Sequence, residues 1–162
     1  MSFQVQKWVI CYAEERQMRF CSSPYYDSPM HPLYAQASRL TEPMIGAAIE
    51  VHREKGPGLI ESIYEWCLTK ELDLRGIAWT NQSLVVVRYK GFTREEPLRC
   101  DLLVEGCLLV EVKAVREVLS IHKAQLLSYM KLLDIPFGLL VDFHEMKLTD
   151  GVHRLILPGA DR

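Results

Sequence analysis

The sequence predicts a mixed α/β fold, in which a sheet built from hairpins is flanked by helices. Two segments with helical hydrophobic periodicity come first, and three apolar or β-branched runs follow them. One more helical segment then separates these runs from two further ones. The predicted order is therefore α-α-β-β-β-α-β-β, and 162 residues, 49% of them apolar, suffice for one such domain.

The two N-terminal helices are predicted from residues that begin and end helices. Thr41 is a good N-cap, and Pro43 is tolerated in the first turn, so the first helix should run from there to about Glu54. The Gly-Pro-Gly sequence that follows should end it. The second helix should span about residues 59–75 and end at Gly76.

Glu61 on this second helix falls on its apolar side. At 100° per residue, Glu61 lies within about 20° of the direction of Leu68 and Leu72. A carboxylate on an apolar stripe needs a reason, because burying an unpaired charge is costly.

The strands and the last helix follow from composition and turn residues. Glu105-Gly106 should join two strands as an antiparallel hairpin, and Ser120 can cap the third helix. The strands are expected at 83–92, 97–104, 107–115, 136–143 and 153–158, with the helix over 121–133.

Composition limits the possible classes of protein. Charged residues make up 25% of the chain and the formal net charge is −2, as in an ordinary soluble protein. No apolar run is long enough to span a bilayer, and the N-terminus lacks the features of a secretory signal. Five cysteines without C-x-x-C spacing predict free thiols and a cytoplasmic location. Any nucleic-acid binding must depend on a local basic patch.

The N-terminal part differs from the remainder of the chain. Residues 1–38 are rich in Pro, Ser, Asp and Tyr and keep no period, which predicts a poorly ordered extension with a short element at 3–12. Residues 39–162 would form the domain. Met30 is an alternative start of the natural protein, because a good helical sequence follows it.

Three charged residues lie within the predicted hairpin, at Asp101, Glu111 and Lys113. Side chains alternate along a strand, so Glu111 and Lys113 share one face. Taken alone, the strand is compatible with a solvated sheet face that carries an acid–base pair.

The third helix carries a polar trio on its apolar side. His122, Gln125 and Tyr129 lie within about 60° of each other on a helical wheel, among leucines. Each core-side polar group costs about 1–3 kcal/mol unless it is satisfied. Gln125 at a sheet edge and Tyr129 as a core ring with a solvated hydroxyl are the structural alternatives.

Together these residues suggest a chemical role. Carboxylates that converge on one point form a hard oxygen site that suits Mg²⁺. A lysine on the same face can orient a water molecule or stabilise developing negative charge. This is the equipment of metal-assisted phosphodiester hydrolysis.

The same residues resemble a known family. The ordered set resembles the PD-(D/E)XK nuclease superfamily, with the Q-x3-Y helix of its RecB-like members, and it comprises Asp101, Glu111, Lys113, Gln125 and Tyr129. The stretch "GLIESIY" at 58–64 is similar to the motif of the GxxExxY proteins of that superfamily. The resemblance covers about residues 41–157. Cys100 stands where the superfamily has its proline.

The resemblance implies a restriction-endonuclease-like core of order α-β-β-β-α-β and a Mg²⁺- or Mn²⁺-dependent nuclease, with DNA as the expected substrate. By similarity, the metal ligands would be Asp101, Glu111 and the backbone carbonyl of Val112. Glu61 would complete the acidic cluster directly or through water. Lys113 would assist the nucleophile or the transition state, and Gln125 and Tyr129 would orient the site and contact substrate.

Substrate contacts and partners are less defined. Arg88, Lys90, Arg94 and Arg99 cluster around the expected hairpin mouth and can meet phosphates, with His122 as a further candidate, but edge-strand charges also block aggregation. A homodimer or larger complex is compatible with the sequence, and a membrane partner is not expected. The alternative function is a catalytically silent nucleic-acid-binding or interaction module on the same fold.

Overall fold

The computed structural model describes residues 30–162, which form three α-helices, five strands and one short 3-10 helix. Their order is the predicted one. The elements are α1 (Tyr34–Lys55), α2 (Glu61–Leu74), β1 (Trp79–Tyr89), β2 (Phe92–Val104), β3 (Leu108–Lys113), α3 (Ser120–Leu133), β4 (Phe137–Asp142), the 3-10 helix (Leu148–Gly151) and β5 (Val152–Ile156). The element predicted at 3–12 lies outside the described residues.

The five strands form one sheet in the order β1-β2-β3-β4-β5. Neighbouring strands pair antiparallel except for β3 and β4, which are parallel because α3 carries the chain back between them. The predicted mixed sheet with flanking helices is therefore confirmed. None of the helices within residues 30–162 has the length and apolar character needed to cross a membrane.

Two apolar clusters cover the two faces of the sheet. The larger one packs α1 and α2 against one face and includes Met44, Tyr64, Leu68, Val110 and Phe143. The smaller one packs α3 against the other face and includes Leu103, Leu109, Leu126, Met130 and Leu140. Successive residues of β3 alternate between the clusters, as the pleat of a strand requires.

Helix α1 begins seven residues earlier than predicted. Thr41 is buried inside the helix, where its Oγ1 donates a hydrogen bond to the backbone oxygen of Ser38 at 2.8 Å, so its prediction as the N-cap was wrong. Residues 34–38, which were expected to belong to the extension, form the first turn, and Ala37 is fully buried in the core. The packing of Ala37 stabilises this extra turn, which the hydrophobic pattern after Thr41 could not indicate. The division of the chain at residue 38 stays a prediction.

Helix α3 also differs from prediction in two details. Ser120 is its first residue, not its N-cap; the N–H of Leu119 is instead accepted by Nδ1 of His122 at 3.2 Å. Gln125 is exposed, so its expected core-side position was wrong, whereas Tyr129 packs at the edge of the smaller cluster. Gln125 lies about 100° from the buried Leu126 on the wheel, which places it outside the narrow stripe that the sheet covers.

A bulge in β2 splits the sheet. The β1–β2 register passes from Thr80↔Leu103 to Gln82↔Arg99, so that β2 has two more residues than β1 between these pairs. Pairing of β2 with β3 ends at Leu102↔Val110. Beyond this fork, residues 82–99 of β1, the turn and β2 continue as a two-stranded extension, here called the distal ribbon. Bulges of this kind re-aim side chains next to functional sites.

Candidate functional site at the fork of the sheet

Asp101 lies at the fork itself. Its Oδ2 accepts a hydrogen bond from the backbone N–H of Val112 at 2.7 Å. The pairing of β2 with β3 reaches Leu102 but does not extend to Asp101. The Asp101 side chain therefore takes the place of a backbone partner on this edge of β3. This bond holds the Asp101 carboxylate beside β3.

Glu111 and Lys113 lie on one face of β3 and are both buried, with exposed fractions of 2% and 9%. The Nζ atom of Lys113 lies 2.8 Å from Oε1 of Glu111 and 3.5 Å from Oε1 of Glu61. It also donates a hydrogen bond to the carbonyl oxygen of Val112 at 2.9 Å. The lysine therefore pairs with a carboxylate of its own strand and joins β3 to α2 through Glu61.

Helix α2 supplies two acidic side chains, Glu61 and Glu65, which lie one turn apart. Carboxylate oxygens of Glu61, Glu65 and Asp101 lie within 4.8 Å of one another, and these three residues are here called the acidic cluster. Glu65 was not selected from the sequence. Its spacing of four residues from Glu61, which puts both on one side of the helix, was the available signal.

The start of α2 is fixed by Tyr64. Its ring is fully buried and stacks on Phe143, with the ring centroids 4.5 Å apart. Its hydroxyl donates to the backbone oxygen of Gly56 at 2.6 Å and accepts from the N–H of Leu59 at 3.0 Å. The loop before α2 is thereby attached to the core, which places Glu61 at the fork.

The crowding of carboxylates changes their ionisation. Burial, with the neighbouring charge of Glu111, raises the pKa of Asp101 to about 7. Burial and the charge of Glu61 likewise raise the pKa of Glu65. Burial alone would lower the pKa of Lys113, but its hydrogen bond to Glu111 and the other carboxylates outweigh burial and raise it. The site therefore holds more negative charge than its one ammonium balances.

The donor atoms of this site fit a divalent cation. Carboxylate oxygens are the hard ligands that Mg²⁺ and Mn²⁺ accept, and a cation would relieve the repulsion that raises the pKa of Asp101. The grouping differs from the predicted ligand set. Glu65 is within the acidic cluster, whereas the side chain of Glu111 and the carbonyl of Val112 both bind Lys113.

Asp142, the buried acidic residue at the end of β4, has a structural explanation. It pairs with Lys113 across the parallel strands, and its Oδ1 accepts hydrogen bonds from the N–H groups of Val115 and His144 at 3.2 and 3.1 Å. These bonds fix the two loops that follow the parallel strands.

The other predicted site residues lie further from the cluster or have other contacts. Within residues 30–162, Gln125 and Tyr129 make no hydrogen bond or ion pair with it, and His122 caps α3. The predicted basic group is dispersed along the distal ribbon. Arg99 lies next to the bulge, while Arg88, Lys90 and Arg94 lie toward the far end, where Arg94 pairs with Glu96 at 2.6 Å.

The comparisons with known proteins agree with this geometry. A family model described as the PD-(D/E)XK nuclease superfamily matches residues 38–155. This range includes the acidic cluster, the Glu111–Lys113 pair and all five strands but the last residue of β5. No curated protein matches the chain, and no solved structure matches it.

Proposed function

The chain belongs to the PD-(D/E)XK nuclease superfamily, and on that premise we propose that it is a nuclease that hydrolyses phosphodiester bonds of DNA with Mg²⁺ or Mn²⁺. The observation that carries the proposal is the acidic cluster, whose carboxylate oxygens lie within 4.8 Å of one another at the fork of the sheet. Lys113 lies directly beside it, 3.5 Å from Glu61.

In this proposal, Asp101 and Glu111 hold the cation together with the carbonyl of Val112, and Glu61 completes the set directly or through water. Glu65 joins them, because its carboxylate lies in the same cluster. A bound divalent cation supplies Lewis-acid polarisation of the scissile phosphate and lowers the pKa of a coordinated water. Lys113 contacts Glu111 only through Oε1 and donates one hydrogen bond to the Val112 carbonyl, so each group would keep a lone pair for the cation.

Lys113 then acts as a cation and not as a base. Its raised pKa keeps the ammonium form at neutral pH, so it cannot accept a proton from water. A hydrogen bond from its ammonium would instead stabilise negative charge that develops on the phosphate oxygens. Its position at the end of β3, with Nζ 3.5 Å from Oε1 of Glu61 on α2, supports this role.

We assign the chain to the GxxExxY group within the superfamily on the roles that its motif residues have here. Gly58 has a φ of 104°, which L side chains rarely adopt. Glu61 lies 3.5 Å from Lys113 in the site, and the Tyr64 hydroxyl binds the loop that precedes α2. The Q-x3-Y residues, Gln125 and Tyr129, are proposed to contact substrate, since neither has another polar partner within the described residues.

Cleavage of labelled single-stranded and duplex DNA tests the function. Cleavage is expected with Mg²⁺ or Mn²⁺ and not with chelator, and Asp101→Asn should lower the rate at least about 100-fold by removing a ligand charge. Asp161→Asn, a matched change at an exposed position, should leave the rate unchanged. Cleavage that persists in chelator, or that Asp101→Asn does not alter, would refute the metal mechanism.

One observation favours the catalytically silent alternative. The Lys113 ammonium already supplies a positive charge to Glu111 and to the Val112 carbonyl, so a cation bound there would be repelled by it. DNA binding that weakens steeply with salt, without cleavage under either divalent cation, would favour the binding module over the nuclease.

A further inference from the structure

The distal ribbon ends in two exposed aromatic rings. Tyr89 and Phe92 are directly opposite each other across the turn, and their exposed fractions are 65% and 78%. Cross-strand partners point to the same face of a ribbon, so the two rings lie next to each other in solvent. Two adjacent exposed rings offer flat apolar faces on which a partner can stack.

The turn between the rings places a lysine in a strained conformation. Lys90 and Gly91 have φ values of 46° and 86°, the left-handed pair that a two-residue hairpin turn requires. Asn-Gly is the usual sequence there, because asparagine and glycine adopt positive φ more readily than lysine does. The Lys90 ammonium lies 5.3 Å from the centroid of the Tyr89 ring. Strain at a fully exposed turn points to a use for the side chain.

The ribbon has the opposite charge to the molecule as a whole. It contains four basic and two acidic residues, a net charge of +2 in a chain whose formal net charge is −2. Among them, Arg94 is paired with Glu96, while Lys90, beside the Tyr89 ring, and Arg88, on the other face of the ribbon, have no carboxylate partner within residues 30–162. The charge of this surface complements a polyanion.

The ribbon also begins at the candidate site. Arg99 is two residues from Asp101, and Phe92, at the far end of the ribbon, is seven residues before Arg99. At about 3.3 Å per residue the rings lie roughly 23 Å from the base of the ribbon, the length of about seven nucleotides at a ~3.4 Å rise. A nucleic-acid strand with about seven nucleotides beyond the acidic cluster is therefore long enough to reach the rings.

We propose that the distal ribbon binds an unpaired stretch of the nucleic-acid substrate, with bases stacked on Tyr89 and Phe92 and phosphates near Lys90. A cationic track combined with exposed aromatic rings is typical of proteins that bind single strands. A duplex hides its base faces and offers these rings nothing to stack on. This inference rests on the proposed function for its choice of ligand class.

Equilibrium binding in the presence of chelator tests the proposal without any cleavage. Fluorescence anisotropy is measured with labelled dT20, U20 and a 20-bp DNA duplex. Tyr89→Ala/Phe92→Ala should raise the Kd for at least one of the single strands about tenfold or more, since each stacked base contributes substantially. Its Kd for the duplex should change by less than about twofold. Trp66→Ala, which removes another exposed ring, 63% exposed on α2, is the matched control and should alter none of the three.

Lys90→Asn separates a binding role from a structural one. Asparagine tolerates the left-handed conformation better than lysine, so the melting temperature should stay the same or rise. Loss of the charge should nevertheless weaken single-strand binding and reduce the slope of log K against log salt by about 0.7. A lysine that serves only the turn would leave the affinity and the slope unchanged.

Three results would overturn the proposal: wild-type protein that binds neither single strand, a double variant that binds both as tightly as wild type, or equal losses on single strand and duplex. Sedimentation of both proteins covers self-association. A wild-type dimer that the double variant converts to a monomer would identify the ribbon as a contact between two copies and would also overturn it. Absence of cleavage would contradict the proposed function alone, because binding is measured in chelator.

Discussion

The buried pair of Glu111 and Lys113 is a point where a single substitution should lower the stability of the fold. Lys113→Ala would leave Glu111, which is 2% exposed, without its counter-charge, and should lower the free energy of unfolding by about 3 kcal/mol. Urea denaturation without divalent cations measures this loss. Glu111→Gln/Lys113→Ala should recover most of it, and a single variant as stable as wild type would contradict the assigned pair.

Asp101 predicts how cation binding depends on pH. With its pKa at about 7, the carboxyl group is mostly protonated below pH 7, and a cation must displace that proton. Affinity for Mn²⁺ should therefore rise about tenfold per pH unit up to pH 7 and level off above it. Calorimetric titrations from pH 5.5 to 8.5 measure this, and affinity that is flat below pH 7 would contradict it.

Most residues of the candidate site could be predicted from the sequence. Asp101, Glu111 and Lys113 were identified as charges within apolar runs, and Glu61 as a charge on an apolar stripe. All four meet at the fork. Glu65 could not be distinguished from an ordinary solvated glutamate, because only the tertiary position of α2 shows that it faces Asp101.

At the scale of elements, the hydroxyl of Tyr64 determines where α2 begins. Tyr64→Phe keeps the ring stacked on Phe143 but leaves Gly56 O and the Leu59 N–H without their partner. The free energy of unfolding should fall by about 1–2 kcal/mol. Because Glu61 follows this loop, the affinity for Mn²⁺ should also fall, and a thermal-shift titration measures both effects.

Tyr34→Phe is the matched control, since that ring packs on Phe137 of β4. If Tyr64→Phe lowers stability but leaves the Mn²⁺ affinity at the wild-type value, the loop does not position Glu61.

Element boundaries were less predictable than element types. Thr41 and Ser120 are both favourable cap residues, yet neither caps its helix, because core packing of Ala37 extends α1 and His122 caps α3. The bulge in β2 leaves no mark in the sequence that separates it from a regular strand. It arises from the register of β2 against two different neighbours, which only the folded sheet defines.

For the molecule as a whole, the order of elements and the mixed sheet were predictable, since hydrophobic periodicity and a helix between β3 and β4 suffice to specify them. The exposed ribbon was not, because a β-branched run looks the same whether its strand is covered or extends beyond the sheet. Leu84 and Val86 are 66% and 44% exposed, although their sequence is typical of a buried strand.

Global stability should fall as the pH rises, as far as Asp101 controls it. Its folded pKa of about 7 lies above the ordinary value of 3.8, so the folded state binds the proton more tightly and loses stability between about pH 4 and pH 7. Without cations, Asp101→Asn should be more stable than wild type at pH 8 and equal to it below pH 4.

Thermal unfolding at the two pH values measures this difference, and Asp161→Asn is again the control. A variant that is less stable than wild type at pH 8 would contradict this prediction. It would show that the hydrogen bond from the Val112 N–H to the charged carboxylate stabilises the fold more than burial and repulsion of that charge destabilise it.

The fork in the sheet gives the ribbon the mechanics of a lever. The hinge would be the bulge near Cys100, beyond which β2 no longer pairs with β3. Val85, which is only 3% exposed, is the buried residue of the ribbon. A rotation of ~10° at the hinge would displace the far end by ~4 Å over a length of roughly 23 Å, without breaking a bond between β1 and β2. Such a rotation would move the rings of the ribbon relative to Asp101, whose carboxylate is held by the Val112 N–H.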